Sequence, residues 1–198
     1  MLKLGLTGGI ASGKSAVAAL LREMGFCVLD ADSASHKLME PGQAAYEEIL
    51  RAFGKEVADG SGRIDRAKLA AIVFADPAKL AELNGILHPR VEQVIFRQLD
   101  EWQRNGVRDA AFVEAALLVE AGMSKKLDGL VVAWCEPEQQ LDRLRARGMS
   151  EVEAKRRIAA QLPLEEKLKY ATETIDCSGT LEQTRAQVRA LAAKLRRH

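Results

Sequence analysis

The chain has 198 residues, of which 47% are hydrophobic, so it can bury one sizeable core and carry an inserted subdomain besides. Its 29 basic and 28 acidic residues nearly cancel, and we therefore expect neither nucleic acid nor a membrane as a partner. The three cysteines, Cys27, Cys135 and Cys177, lie far apart and lack the spacing of a zinc site. Together with the lack of a basic leader and of a bilayer-length apolar run, they predict a cytoplasmic location.

The first 30 residues predict a strand, a glycine-rich loop, a helix and a second strand. Residues 2–6 are apolar and predict a buried strand, and residues 15–24 have apolar positions at helical spacing. Between them, residues 8–15 read GGIASGKS and match the pattern GxxxxGK[ST]. Residues 26–30 predict another buried strand, which completes a βαβ unit whose two loops open on the same edge of a parallel sheet.

The middle of the chain, from residue 33 to about 104, is almost wholly helical in pattern and predicts a helical insertion. We expect helix breaks at 41–42, 59–62, 76–77 and 88–89. Apolar runs at 110–119 and 130–134 then predict two more strands of the sheet, although the alanines of the first run leave a helix possible.

The last third of the chain predicts helices with one short strand. A helix begins at Glu136-Pro137 and reaches Arg147, and a capping-box pattern at 150–153 begins another. Residues 174–176 predict the strand, and residues 181–197 a closing amphipathic helix.

The GGIASGKS loop predicts a phosphate site. Glycines let backbone N–H groups converge on an anion, and the helix that follows adds its positive N-terminal end. Lys14 is expected to reach the β- and γ-phosphates of a nucleotide, and the Ser15 hydroxyl to ligate Mg²⁺. The residues assigned to nucleotide binding here are Gly8, Gly9, Ile10, Ala11, Ser12, Gly13, Lys14, Ser15 and Ala16.

Acidic residues at the ends of two predicted strands are candidates for the chemistry of transfer. Asp30 and Asp32 follow the second strand, where a carboxylate can take a proton from an attacking hydroxyl or hold Mg²⁺; the alternative is an N-cap for the next helix. Glu114 ends the third strand, and we assign it to the Mg²⁺ shell. Glu120 competes for that role, and either glutamate could instead be a solvated charge.

Basic residues in the second half predict a mobile lid over the phosphates. Arg143 and Arg147 are four residues apart on one helix face, and Arg156 and Arg157 lie on the next helix. A closing lid of this kind excludes water during phosphoryl transfer.

Three other features have less specific interpretations. His88 lies between two predicted helices, where a histidine more often caps or packs than catalyses, and His36 is similar. The sequence at 59–62 matches DxxG but lies in a predicted polar turn. No NKxD-type motif for binding a guanine base is present, so the sequence disfavours a guanine-nucleotide switch.

With these residues assembled, the sequence resembles the dephospho-coenzyme A kinase family over nearly its whole length. The motifs that carry the resemblance are LTGGIASGKS, DADSASHKLMEPG, FGKEV, DGSGRIDR, LNGILHPRV, LLVEAG, QQLDRLRARG and RRIAAQ, in the family's order. The resemblance implies an α/β P-loop kinase fold, a mostly parallel sheet flanked by helices with a helical substrate insertion and an arginine lid. It also implies ATP-dependent phosphorylation of the 3′-hydroxyl of dephospho-coenzyme A, with Mg²⁺ and with these two small molecules as partners.

Roles for single residues are carried over from the family as implications of that resemblance. Asp32 becomes the base that faces the 3′-hydroxyl, and Lys14, Arg143 and Arg147 handle the phosphates of ATP. The expected substrate-binding residues are Asp32, His36, His88, Arg90 and Glu120. The implied parts are a core at about 1–32, 106–136 and 172–198, a coenzyme-binding insertion at about 33–105 and a lid at about 137–171.

The chain departs from the family's pattern at three places. Ala116 stands where the family usually has proline, and Ala171-Thr172 and Cys177 replace an AD…IxN pattern. A thiol barely hydrogen-bonds where an asparagine amide can, so adenine-side recognition does not carry over. The alternative functions are those of another small-molecule or nucleotide kinase and of a nucleotide-dependent switch protein. The sequence does not indicate the oligomeric state.

Overall fold

Five parallel strands form one sheet within residues 1–196, the part of the chain that this computed structural model describes. The strands are β1 (Leu2–Gly8), β2 (Cys27–Asp30), β3 (Ala110–Glu114), β4 (Gly129–Trp134) and β5 (Glu173–Asp176), in the order β2-β3-β1-β4-β5. β1 lies at the centre, and Leu4 pairs with Phe112 on one side and with Gly129 on the other. The predicted parallel sheet is confirmed, and its strands are apolar because helices cover both faces of such sheets.

The described helices are interrupted near 41–42, 59–62 and 76–77, as predicted. Their bounds are α1 (Lys14–Glu23), α2 (Ala31–Leu38), α3 (Tyr46–Phe53), α4 (Arg66–Ala75), α5 (Pro77–Arg104), α6 (Pro137–Ala146), α7 (Glu151–Ala159), α8 (Leu164–Leu168) and α9 (Leu181–Leu195). Ser150 caps α7 by accepting a hydrogen bond from the Glu153 N–H at 3.3 Å, as its capping-box pattern predicts. The predicted end of the closing helix, Arg197, lies outside the described residues. None of the helices described is both long and apolar enough for a membrane span.

The chain divides into two compact units. The first joins Met1–Asp30 to the chain from Leu99 onward and holds the sheet, and the second is Ala31–Gln98. Each has its own hydrophobic core: Phe26 and Phe112 meet edge-to-face in the first at a centroid separation of 5.6 Å, and Ile49 and Val57 are fully buried in the second. The boundaries of core, insertion and lid given above stay predictions.

The third strand is shorter than the apolar run that predicted it. β3 ends at Glu114; the Ala115 N–H still donates to the Leu6 carbonyl of β1 at 3.1 Å, and residues 116–120 form turns. The Ala116 carbonyl accepts hydrogen bonds from Thr7 Oγ1 at 3.2 Å and from Lys167 Nζ at 2.5 Å, so side chains satisfy it in place of a neighbouring strand.

The predicted break at His88-Pro89 is wrong, because α5 continues through it. A proline inside a helix removes one N–H donor and crowds the preceding turn. The carbonyl that loses its N–H donor to Pro89 is that of Gly85, and in the same turn the Arg90 guanidinium donates to the Ile86 carbonyl at 2.6 Å. His88 is therefore an exposed residue of a helix interior, not the end of a helix.

The Asp59–Gly62 segment is a turn, as its polar sequence predicts. The Asp59 carboxylate accepts the Ser61 hydroxyl at 2.7 Å and the backbone N–H groups of Ser61 and Arg63 at 2.8 and 3.0 Å. These hydrogen bonds, the Ser61 hydroxyl first, lower the pKa of Asp59. The DxxG match thus has a local structural explanation that needs no nucleotide.

Candidate active site

The phosphate-binding loop connects β1 to α1 and is closed by its own backbone hydrogen bonds. The Ser12 N–H donates to the Gly9 carbonyl at 3.1 Å and the Ala16 N–H to the Gly13 carbonyl at 2.9 Å. Gly13, the N-cap of α1, has φ of 107°, a conformation that residues with a Cβ rarely adopt. Ala11 is also left-handed, with φ of 60°, a strained geometry for alanine that points to functional use of the loop.

Two glycines of the loop allow neighbouring side chains to press against the backbone. A Cβ on Gly9 would lie 2.4 Å from Gln140 Nε2, and a Cβ on Gly13 would lie 2.6 Å from Cys177 Cβ. These glycines therefore let α6 and the end of β5 pack on the loop, a reason that adds to their role in approaching phosphate.

The loop lines a cavity of about 550 Å³, which lies within the usual size of small-molecule sites. Residues of the loop and of the start of α1 line it, together with residues of α6 and α9 and of the segments that follow β3, α6, α7 and β5. The lining residues are Gly9, Ile10, Ala11, Ser12, Gly13, Lys14, Ser15, Ala16, Ala116, Arg143, Arg147, Gln161, Cys177, Gly179, Leu181 and Thr184. The structure thus brings most of the predicted nucleotide-binding residues together.

Glu114 is a buried counter-ion for the loop lysine. It is 5% exposed, and its carboxylate binds Lys14 Nζ at 2.8 Å and Arg22 Nη2 at 3.2 Å. Asp30 pairs with Glu114 in the register of β2 and β3, so two carboxylates stand at neighbouring strand ends. Glu114 therefore ends β3 as predicted and forms an ion pair with Lys14, whereas its role as an Mg²⁺ ligand stays a prediction.

Arg143 joins the loop to the end of β5. Its Nη1 donates to the Ala11 carbonyl at 3.1 Å and its Nη2 to the Cys177 carbonyl at 2.6 Å. Arg147, at the C-cap of α6, also lines the cavity. Arg156 and Arg157 bind Glu153 within α7, at 2.7 and 2.8 Å, and neither lines the cavity.

Glu120 is tied to the segment that follows α7. Its Oε1 accepts the Leu162 N–H at 3.0 Å and binds Lys167 Nζ at 2.9 Å. The Lys167 side chain has no exposed surface and also donates to the Ala116 carbonyl. Sequence reasoning missed Lys167, because a lysine in the charged stretch LEEKL normally indicates a solvated helix face.

The family model for Dephospho-CoA kinase matches residues 2–183. The chain belongs to the dephospho-CoA kinase family. A dephospho-CoA kinase of Symbiobacterium thermophilum is 47% identical over 94% of this chain and 78% of its own length. A crystal structure of a Thermus thermophilus protein has a TM-score of 0.84 at 37% identity, covering 98% of this chain and 97% of that one. For a dephospho-CoA kinase of Campylobacter jejuni the TM-score is 0.73 at 27% identity, over 97% and 96% of the two chains.

Membership of the dephospho-CoA kinase family confirms the resemblance that the motifs predict. The family reaction is the ATP-dependent phosphorylation of dephospho-coenzyme A, the last step of coenzyme A biosynthesis, and this chain is an enzyme of that kind. The matches give no support to a nucleotide-dependent switch.

The residues that the dephospho-CoA kinase resemblance assigns to the substrate lie mostly in the unit Ala31–Gln98. Asp32 is exposed in the first turn of α2, inside the helix and not at the position before it, and His36 is exposed in the last turn. Arg90 binds Glu48 and donates to the Ala44 carbonyl at 3.2 Å. The substrate-binding roles of Asp32, His36, His88, Arg90 and Glu120 stay predictions.

The three departures from the family pattern have structural counterparts. Ala116 makes the contacts described above through its carbonyl, a group that proline also has. The Thr172 hydroxyl accepts a hydrogen bond from the Leu130 N–H at 3.0 Å and donates one to the Leu130 carbonyl at 3.1 Å. Cys177 lines the cavity, and burial raises the pKa of its thiol to about 11. The thiol is therefore protonated at neutral pH and acts as a packing group.

Proposed function

We propose that this enzyme transfers the terminal phosphoryl group of ATP to the 3′-hydroxyl of dephospho-coenzyme A with Asp32 as general base. The bond between the γ-phosphorus and the β–γ bridging oxygen breaks, the 3′-oxygen bonds to that phosphorus, and the hydroxyl proton passes to the Asp32 carboxylate. The observation that best supports the proposal is the cavity in which the loop backbone, Lys14 and Arg143 converge.

The phosphates of ATP would meet two cations, Lys14 and Arg143, that the protein already holds beside the loop. Lys14 now neutralises Glu114, and a phosphate close to the loop offers a second anionic partner while Arg22 still balances the glutamate. The positive N-terminus of α1 adds to the attraction. Arg143, held on the Ala11 and Cys177 carbonyls, is fixed next to the loop, so it can meet the charge that develops in transfer without costly reordering.

Oxygen donors at two strand ends and at the start of α1 suit an Mg²⁺ site. The hydroxyl of Ser15 and the carboxylates of Glu114 and Asp30 are oxygen donors, which Mg²⁺ prefers, and the two carboxylates are neighbours in the sheet. We assign Ser15 and Glu114 as the ligands. Bound there, the ion neutralises charge on the β- and γ-phosphates.

The coenzyme is assigned to residues outside the phosphate loop. His36, His88 and Arg90 supply basic or hydrogen-bonding groups on the unit Ala31–Gln98, and Glu120 follows β3. Together with Asp32 they form the proposed substrate-binding set. The unpaired, partly or fully buried cysteines agree with the cytoplasmic location that we infer.

One experiment tests the proposal and its nearest alternative. ADP formation from ATP is measured with dephospho-coenzyme A as the acceptor, with nucleoside monophosphates, and with no acceptor. We expect rapid ADP formation only with dephospho-coenzyme A, and a product whose mass equals that of coenzyme A. Faster transfer to a nucleoside monophosphate would instead identify another kinase on the same fold, and the Lys14→Ala variant serves as the inactive control.

A further inference from the structure

Two glutamines hold Ile10, the third residue of the phosphate-binding loop. Gln140 Nε2 on α6 donates to the Ile10 carbonyl at 2.7 Å, and Gln161 Oε1, shortly after α7, accepts the Ile10 N–H at 2.8 Å. Gln140 is 5% exposed and packs where Gly9 has no Cβ. Both polar groups of one loop residue are therefore satisfied by side chains that come from the far end of the sequence.

Gln161 and Lys14 line the same cavity, and both are connected to the end of β3 or to the chain that follows it. Leu162, the neighbour of Gln161, donates to Glu120 in the loop that follows β3, and Lys14 Nζ is directed to Glu114 at the end of the same strand. Because Lys14 reaches the β- and γ-phosphates in loops of this kind, the terminal phosphate of ATP belongs in the part of the cavity next to Lys14.

The carboxamide of Gln161 has a donor to offer to that phosphate. Its oxygen is occupied by the Ile10 N–H, while its NH₂ group has no hydrogen-bond partner in the part of the chain that the structure describes, and the side chain lines the cavity half-buried. A carboxamide carries two donors on that nitrogen, and a phosphate oxygen is their natural acceptor.

We propose that Gln161 recognises the terminal phosphate of ATP: its oxygen stays on the Ile10 N–H while its NH₂ group donates to a γ-phosphate oxygen. The inference rests on the proposed function of the loop as the ATP site. It makes Gln161 a residue that distinguishes ATP from ADP, because only ATP carries the phosphate it contacts. It also fixes the segment between α7 and α8 over the reacting phosphate, which keeps water away from it.

Replacement of Gln161 by glutamate tests the donor separately from the loop contact. Glutamate keeps an oxygen that can accept the Ile10 N–H. It replaces the NH₂ donor, however, by a negatively charged carboxylate oxygen, which cannot donate to the γ-phosphate. We expect Gln161→Glu to weaken binding of an ATP analogue with an imido β–γ bridge by about 10-fold to 100-fold, the range for a lost hydrogen bond to a charged group. ADP binding is expected to stay within about 2-fold, since the contact is absent there.

Gln183→Glu is the matched control. Gln183 Oε1 also accepts one backbone N–H, that of Thr180 at 2.7 Å, but in the capping box of α9 and outside the cavity lining. Its replacement is expected to leave the ratio of ADP to analogue affinity unchanged. Both variants and the parent are measured by calorimetry without dephospho-coenzyme A, so the result does not depend on which acceptor the enzyme uses.

The outcomes separate the inference from the proposed function. An unchanged ratio of affinities in Gln161→Glu would show that Gln161 only ties two segments together, and the inference would be overturned. A changed ratio in an enzyme that fails to make coenzyme A would support the ATP contact while rejecting the acceptor. Gln161→Ala removes both contacts, and equal weakening of ADP and the analogue in that variant would also contradict the proposal.

Discussion

Replacing Asp32 by asparagine separates a catalytic base from a helix-stabilising charge. Asp32 is exposed in the first turn of α2, where a carboxylate stabilises a helix through its dipole by about 0.3–1 kcal/mol. The free energy of unfolding of Asp32→Asn is therefore expected to fall by no more than about 1 kcal/mol.

The effect on catalysis is expected to be several times larger. Asparagine cannot accept the hydroxyl proton, and loss of a general base typically costs about 10²-fold to 10⁴-fold in rate, which corresponds to roughly 2.7–5.4 kcal/mol of activation free energy. We expect a folded variant that binds ATP and dephospho-coenzyme A but forms ADP at least about 10²-fold more slowly.

The assay compares two neighbouring acids under the same conditions. Initial rates of ADP formation and urea unfolding are measured for Asp32→Asn and for Asp30→Asn, whose carboxylate ends β2 beside Glu114. A smaller rate loss is expected for Asp30→Asn. An inactive Asp30→Asn together with an active Asp32→Asn would refute the assignment of the base and with it the central role carried over from the family.

Three further predictions concern the cavity. Lys14→Ala is expected to lower turnover by about 10²-fold or more, because it removes a charge that follows the transferring phosphate; near-native turnover in a folded variant would contradict the loop assignment. Arg143→Ala is expected to lower turnover more than it weakens dephospho-coenzyme A binding by calorimetry, whereas lost coenzyme binding with intact turnover would move Arg143 to the substrate site. Burial raises the pKa of the Cys177 thiol from 9.0 to about 11. Iodoacetamide at pH 8 is therefore expected to label this thiol about 100-fold more slowly in the folded than in the unfolded protein. Equal labelling rates, measured by mass spectrometry, would refute a buried environment for the thiol.

The parts of the fold that the sequence predicts well depend on residues that lie close together along the chain. The GGIASGKS loop, the Asp59 turn and the Ser150 cap each depend on residues within a few positions of one another, and all three have the predicted geometry. Glu114 likewise ends a buried strand of the parallel sheet as its position predicts, although its ion pair with Lys14 is seen only in the structure.

The parts that escaped prediction depend on contacts between distant segments. Gln161 and Gln140 meet Ile10 across more than a hundred residues, and no local pattern marks either glutamine as part of the loop. Lys167 is buried because Glu120 and the Ala116 carbonyl neutralise and bind its ammonium group, a pairing that composition does not reveal.

At Pro89 a local sequence rule gave a wrong prediction, because the surrounding structure outweighs it. Proline disfavours a helix interior, yet α5 runs from Pro77 to Arg104, and it packs apolar residues such as Leu83 and Leu87 into a hydrophobic core. Local propensity gives way when packing contributes more free energy than one backbone hydrogen bond.

The central place of β1 in the sheet affects how the protein assembles during synthesis. β1 is translated first, but its partner strands begin at Ala110 and Gly129, so it has no neighbour to pair with for roughly 5–20 s at ordinary elongation rates. Over the same interval the ribosome completes Ala31–Gln98, which has a hydrophobic core of its own. The strand that leads into the phosphate-binding loop is thus the first strand of the sheet to be made. It can pair only after β3 and β4 have been synthesised. Until then the backbone N–H and C=O groups of this apolar strand are open to pairing with other chains.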